Sequence, residues 1–420
     1  MFKTLVNAFK VPEIRKKIMM TLILIVIYRV GCFIPIPGVN AGFIAQQMAS
    51  YDALGFLNLL SGGSFANFTI FAMGISPYIT ASIIVQLLQI AIPALERLAK
   101  EEDGRKKLQQ ATRFVGVGLA LVQSVGIIVS LGASAVYNPN FFTYMTIGIV
   151  ATAGSCFLMW LGERITDIGI GNGISLLIFS SIVSQIPTTI INYAPQVGVV
   201  YSPWLVPLIL VLIAAVILLV VFVNEGVRRV PVQYAKRVVG RKLYGGQSTH
   251  IPMKPNANGV MPLIFALTIT QFPTMIIQIV DPTWVKPFSV FWRTYMGTGT
   301  AVYYVFYALL ILGFAYFYTT ISFNPIEMSK NLQQNGGFIP GIRPGKPTSD
   351  FLSRISSRLT FFGAVFLMII AIIPNVVLHI FGIRSPFGPT SVLIMVSVAI
   401  ETMDQLQNQM LMRHYKGFLS

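Results

Sequence analysis

Charge is scarce in this chain: only 10% of its 420 residues are Asp, Glu, Lys or Arg. A soluble domain carries about 25%. With 55% hydrophobic residues and a mean hydropathy of +0.72, too little polar surface exists to face water, so lipid is the expected solvent. Cysteine is nearly absent. Cys32 and Cys156 both lie in apolar runs, which argues against a disulfide framework and makes them small buried hydrophobes. The three histidines, His250, His379 and His414, are too scattered in sequence for a metal cluster. No Walker-type phosphate loop occurs, and "GIGNG" at 169–173 follows no expected strand, so it reads as a tight turn. Acidic residues number 14 against 30 basic, and all fall in expected loops or at span ends, with Glu401 and Asp404 nearest a span interior. Ion-coupled pumps place acids within the membrane, so their absence counts against a pump.

Long apolar runs are what the chain does have. Windows long enough to cross a bilayer occur at 18–36, 74–92, 114–133, 145–161, 172–191, 205–223, 259–280, 301–321, 355–373 and 390–412. The N-terminal "MFKTLVNAFKVPEIRKK" is basic and amphipathic, and no small-residue cleavage site follows the first apolar run, so it does not read as a signal peptide. With ten spans both termini share one side, and 26 of the 30 Lys and Arg residues fall on it. The opposite side holds Lys286, Arg293 and Arg384, while Arg29 lies inside the first span. That asymmetry makes the termini cytoplasmic and accounts for most of the net charge of +16 without nucleic acid. It does not explain the size of two cytoplasmic loops, 224–258 and 322–354, where short turns would serve.

Ten spans divide into five and five. The expected fold is therefore an all-α polytopic membrane protein with two inverted five-helix halves, 1–195 and 196–420, around a central path. The stretch from Gly55 to Pro93 has no charge and is about twice the length one span needs. It is interrupted by "SGGS" at 61–64 and again by "GISP" at 74–77.

Several motifs carry a family resemblance. They are "RVGCFIPIPG" at 29–38, "FAMGISPYITASIIVQLL" at the start of the second span and "LMWLGERITDIGIGNGIS" between the fourth and fifth. Two more are "YAKRVVGRKLYGGQSTHIPMKPNANGVMPLIFA" before the seventh span and "FNPIEMSKNLQQNGGFIPGIRPG" after the eighth. Together, and in order along nearly the whole chain, they resemble the SecY family of protein-translocation channels.

The resemblance implies a protein-conducting pore in the bacterial cytoplasmic membrane. Such a pore passes unfolded polypeptides, releases hydrophobic helices sideways into lipid, and is not an enzyme. It needs no cofactor and no metal. It implies a pore ring of Ile75, Ile79, Ile174, Ile178, Ile264 and Ile394, where taken alone these isoleucines would read as ordinary packing. An apolar ring resists hydration when empty and makes no specific hydrogen bonds to what passes. The interrupted stretch becomes a short re-entrant plug helix at about 54–67, including Gly55, Leu57, Leu60, Gly62, Gly63 and Phe65. Its glycines weaken the helix and permit bends. A lateral gate is implied between spans 2 and 3 and spans 7 and 8, lined by Thr80, Ser82, Gln123, Thr268, Gln271 and Phe272. The oversized loops become docking surfaces through Lys236, Arg237, Arg241, Lys242, Arg343 and Lys346. The implied partners are the small membrane subunits SecE and SecG, the motor ATPase SecA, the ribosome, signal sequences, nascent polypeptides and membrane lipids. Two other readings, an inverted-repeat transporter of small solutes and a membrane scaffold, leave the interrupted stretch and the isoleucine set without a purpose.

Overall fold

The structure is a computed structural model, and it describes residues 8–48, 58–193, 204–234, 237–239, 242–244, 248–255, 259–279, 282–297, 300–380 and 389–416. Each of the ten apolar windows falls on a helix. The first half contains α1 (Pro12–Gly31), α2 (Ala41–Met48), α3 (Ser76–Ala91), α4 (Pro93–Lys100), α5 (Glu102–Ser130), α6 (Phe141–Ile168) and α7 (Gly173–Tyr193). The second contains α8 (Leu205–Glu225), α9 (Met261–Ile279), α10 (Pro282–Tyr295), α11 (Ala301–Ser322), α12 (Pro325–Gln334), α13 (Lys346–Ile380) and α14 (Pro389–Lys416).

Among the described residues, six helical stretches are long and apolar enough to cross a membrane alone, and a seventh qualifies if α3 is joined to α4 across a bend of 106°. The remaining windows fall short for visible reasons. Basic residues Arg15, Lys16 and Lys17 occupy the first turns of α1. The apolar stretch of α9 is short, Met261–Pro273. The apolar run of α14 is broken by Glu401, Asp404, Gln405, Gln407 and Gln409.

Prolines set several boundaries. Pro77 occupies the first turn of α3, where its missing N–H costs nothing. Pro93 stops α3 and opens α4. After that bend, the Lys100 amine bonded to Glu96 at 2.8 Å holds the Glu96 carboxyl below the ordinary carboxylate range. Glycine allows close approach in α6, where a Cβ at Gly154 would strike the Ile70 carbonyl oxygen. Small residues of this kind let backbones pack closely within a bilayer, where apolar burial alone gives no drive toward association.

The all-α expectation needs one correction. The two long loops expected on the cytoplasmic side contain β-structure: β1 (Arg228–Tyr234), β2 (Arg237–Val239), β3 (Lys242–Tyr244), β4 (Ser248–Met253) and β5 (Gly337–Phe338). β1 lies between β4 and β5, antiparallel to both, while β2 and β3 form a separate hairpin. The physical reason is alternation. Val230 and Val232 point inward while Arg229, Pro231 and Gln233 stay outside or at the margin, the period of a half-buried strand. The two loops, about a hundred residues apart in sequence, thus become one body. Val230, Val232 and Met253 share a core with Leu332, Ile339 and Leu352. Asn324 fastens the first turn of α12 by accepting from the N–H groups of Ile326 and Glu327 at 3.2 and 3.3 Å.

The largest core draws on both halves, with buried residues from α1, α3, α6, α7, α8, α9, α11, α13 and α14. A second core joins residues 36–44 and 65–73 to α5 and α6.

Candidate functional site

The isoleucines expected to form a ring come from four helices and meet in that largest core. Ile75, Ile79, Ile178, Ile264 and Ile394 are all buried there, and Ile174 packs against its edge. Spacing of four residues within α3 and within α7 puts each pair on one helix face. Ile178, Ile264 and Ile394 also line a cavity of ≈ 380 Å³. The rest of its wall includes Ser175, Asn224, Lys254, Tyr318, Ser397, Glu401 and Asp404. An apolar cluster therefore borders a mixed, partly charged chamber beside the body formed by the two loops.

The stretch expected to be the plug is divided between cores: Leu59 and Leu60 join the largest one, and Phe65 joins the second. Gly55 and Leu57 lie outside the described residues; Leu60 and Phe65 are buried. The expected helix is not continuous. Residues 58–60 are helical, and residues 61–68 run as turns. Gly62 and Gly63 explain why, with φ of +66° and +89° in the left-handed region that L side chains avoid. The space also excludes a side chain. A Cβ at Gly62 would lie 2.7 Å from Arg29 Nη1, and one at Gly63 would lie 2.5 Å from Gln185 Nε2.

Two residues not selected from sequence hold this stretch. Arg29 Nη1 donates to the Gly62 carbonyl at 3.2 Å, and Tyr28 Oη donates to the Ser61 carbonyl at 3.2 Å. Tyr28 also shares a 2.6 Å hydrogen bond with Ser181 of α7. The sequence signal was Arg29 itself, a cation inside an apolar span. Against these tethers, the hydroxyls of Ser64 and Thr69 are buried without a hydrogen-bond partner.

The residues expected at the lateral gate divide. α5 and α9 pack against each other, as do α3 and α9. Thr80 and Thr268, however, donate to carbonyls one turn back in their own helices, Ser76 and Ile264. Gln123 is buried, Gln271 is half-buried, and Phe272 is 37% exposed. The hydrogen bond that crosses the seam comes from elsewhere: Tyr318 Oη on α11 donates to Gln86 Oε1 on α3 at 2.7 Å. Gln86 in turn donates to Ser82 Oγ at 3.0 Å.

Of the residues expected to dock a partner, Lys236 and Arg241 lie outside the described residues, while Arg237 opens β2 and Lys242 opens β3. Arg343 is exposed in the turn between β5 and α13, and Lys346 is exposed at the first position of α13. That turn is fixed from below, since the Gly345 carbonyl accepts from Ser329 Oγ at 2.7 Å and the Arg343 carbonyl from Thr348 Oγ1 at 2.8 Å.

This architecture defines a class: a helical membrane protein with several apolar spans, a shared apolar core beside a chamber, and a small folded body built from two of its loops. The SecY family profile matches residues 69–403, and the chain belongs to the SecY family. It is 43% identical to the protein translocase subunit SecY of Halalkalibacterium halodurans, covering 100% of both chains. It is 42% identical to that of Corynebacterium glutamicum, covering 99% of both. Among solved structures, a protein-conducting channel matches with a TM-score of 0.67 at 21% identity, covering 94% of this chain and 92% of that one. Canine Sec61, seen in a ribosome–channel complex from the endoplasmic reticulum, matches with a TM-score of 0.62 at 18% identity over 94% and 92%.

Proposed function

We infer that this chain is a protein-conducting channel that passes unfolded polypeptides across the bacterial cytoplasmic membrane and releases hydrophobic helices sideways. The observation that carries the reading is the meeting of isoleucines from α3, α7, α9 and α14 in one core beside the 380 Å³ chamber. Aliphatic side chains seal a narrow passage by resisting hydration, and they accept many sequences because they make no directional bonds. A driving force must then come from outside, which makes the chain a passive pore and not an enzyme.

In this reading ten helices cross the membrane in two inverted halves, 1–195 and 196–420, with both termini cytoplasmic. Residues 54–67 act as a plug. Their tethers to Arg29 and Tyr28 hold the closed state. The unsatisfied hydroxyl of Ser64 costs about 1–3 kcal/mol, which lowers the cost of leaving. The seam between α3 and α5 on one side and α9 and α11 on the other is the lateral gate. Its cytoplasmic end is held by Gln86 and Tyr318.

The cytoplasmic body is the docking surface for SecA or the ribosome, and SecE, SecG, signal sequences, nascent chains and lipids complete the set of partners. Support for a docking role comes from Arg343 and Lys346, exposed on and just after a turn whose carbonyls are fixed. Reversal by Arg343→Glu is expected to reduce motor-driven translocation in proteoliposomes at least tenfold while leaving protein yield and thermal unfolding unchanged. A charge contact at a rim governs association more than packing. Wild-type translocation by the variant would remove Arg343 from docking.

A further inference from the structure

Both ends of the first cytoplasmic loop are fastened to a single helix. Where α8 gives way to the loop, Asn224 Nδ2 donates to Ser397 Oγ of α14 at 3.1 Å. Where the loop returns toward α9, Lys254 Nζ lies 2.9 Å from Asp404 Oδ2 of α14. Ile394, Ser397, Glu401 and Asp404 all line the same chamber, so they occupy one face of α14. Their spacing of three, four and three residues is that of a helix face. The loop between the two fastenings is not slack. Its strands β1 and β4 share a sheet with β5 and a core with α12 and α13. A folded body is thus attached at two points to the helix that presents Ile394.

We propose that Lys254 and Asp404 are positioning residues that couple the cytoplasmic body to the isoleucine constriction through α14. The proposal rests on the channel reading above. Ten residues of helix separate Asp404 from Ile394, about 15 Å along the axis, and a helix transmits displacement over that distance as a rigid element. The ion pair suits a reversible link. Its two side chains are 43% and 45% exposed, and pairs of that kind are weak enough to be broken by a competing contact. Glu401, one turn from Asp404, lines the same chamber as Lys254. The Lys254–Asp404 pair holds the body down on this face of α14. Movement of the body on docking pulls Lys254 from Asp404, frees α14 to shift, and moves Ile394 relative to Ile178 and Ile264.

The test is conductance of the full-length protein in planar bilayers, measured at rest and with a polypeptide arrested in the channel. Lys254→Gln is expected to raise the resting opening frequency about two- to fivefold, the range a half-exposed pair supports. Lys254→Glu and Asp404→Lys singly should raise it further, because each places like charges together. The double reversal, Lys254→Glu with Asp404→Lys, should return it toward wild type. That rescue separates coupling from general damage, since two independent lesions do not repair each other. Resting openings at the wild-type rate in every single variant, or a double reversal no better than the singles, would overturn the coupling. In that case a wild-type protein that conducts when a polypeptide is arrested leaves the channel reading standing. A wild-type protein that conducts in neither state removes both.

Discussion

Replacing Ile79, Ile178 and Ile264 together with serine is expected to make the resting protein leak ions. All three are buried in the core shared by the two halves, and Ile178 and Ile264 also face the internal chamber. A narrow apolar constriction excludes water because its wall offers no hydrogen bonds, and ions cross it only when it is wet. Three hydroxyls in place of three sec-butyl groups both widen the passage and hydrate it, so the two effects act in the same direction. Conductance should rise at least tenfold in planar bilayers. The triple valine variant separates them. Valine removes one methylene per site and remains apolar, and Ile→Val costs only about 0.5–1.5 kcal/mol per site. It should leak much less than the serine variant. Serine leakage equal to wild type would remove these residues from the seal.

The second large effect concerns the stretch around Gly62. At rest Ser64 is fully buried. A cysteine placed there, with Cys32 and Cys156 replaced, should react slowly with a bulky water-soluble maleimide added from outside. Arresting a polypeptide in the channel should speed labelling by more than tenfold. Arg29→Ala should do so at rest. It removes the hydrogen bond from a charged donor to the Gly62 carbonyl, a contact worth about 1.5–3 kcal/mol, and each 1.4 kcal/mol is about a tenfold change in population. Deleting the stretch should leave transport working and make the closed state leakier, because a seal is lost and no chemistry is. Equal labelling in resting and occupied channels would make the stretch a static cap.

Much of the arrangement was legible because its signals are local. Each apolar window lies on a helix, since length and composition decide that within one segment. The grouping of Ile75, Ile79, Ile178, Ile264 and Ile394 in one core followed from the family resemblance, not from pattern, for isoleucine is common throughout the chain. What escaped is non-local. The pairing of Gln233 and Tyr234 with Phe338 and Gly337 requires two segments a hundred residues apart to find a register, though the alternation at Val230 and Val232 marked one of the strands. The hydrogen bond between Gln86 and Tyr318 joins helices 232 positions apart. Two of the polar residues chosen for the seam are uninformative for a physical reason. A threonine inside a helix satisfies its hydroxyl on the carbonyl one turn back, so Thr80 and Thr268 reveal nothing about the neighbouring helix. Arg29 was noticed as an exception to the charge asymmetry, and its partner, a glycine carbonyl, has no sequence signature.

The most direct test follows the path of the substrate. A polypeptide would be arrested midway, with single cysteines along the segment expected to lie in the membrane. The channel would carry one cysteine at Ile79, Ile178, Ile264 or Ile394 in a background with Cys32 and Cys156 replaced. Control cysteines would stand at Leu218 and Phe222, which are 70% and 78% exposed on α8. The account predicts that one short stretch of the arrested chain forms disulfides with all four isoleucine positions and with neither control. Disulfides formed only at the α8 positions, or at none of the isoleucine positions, would place the polypeptide outside this constriction and contradict it.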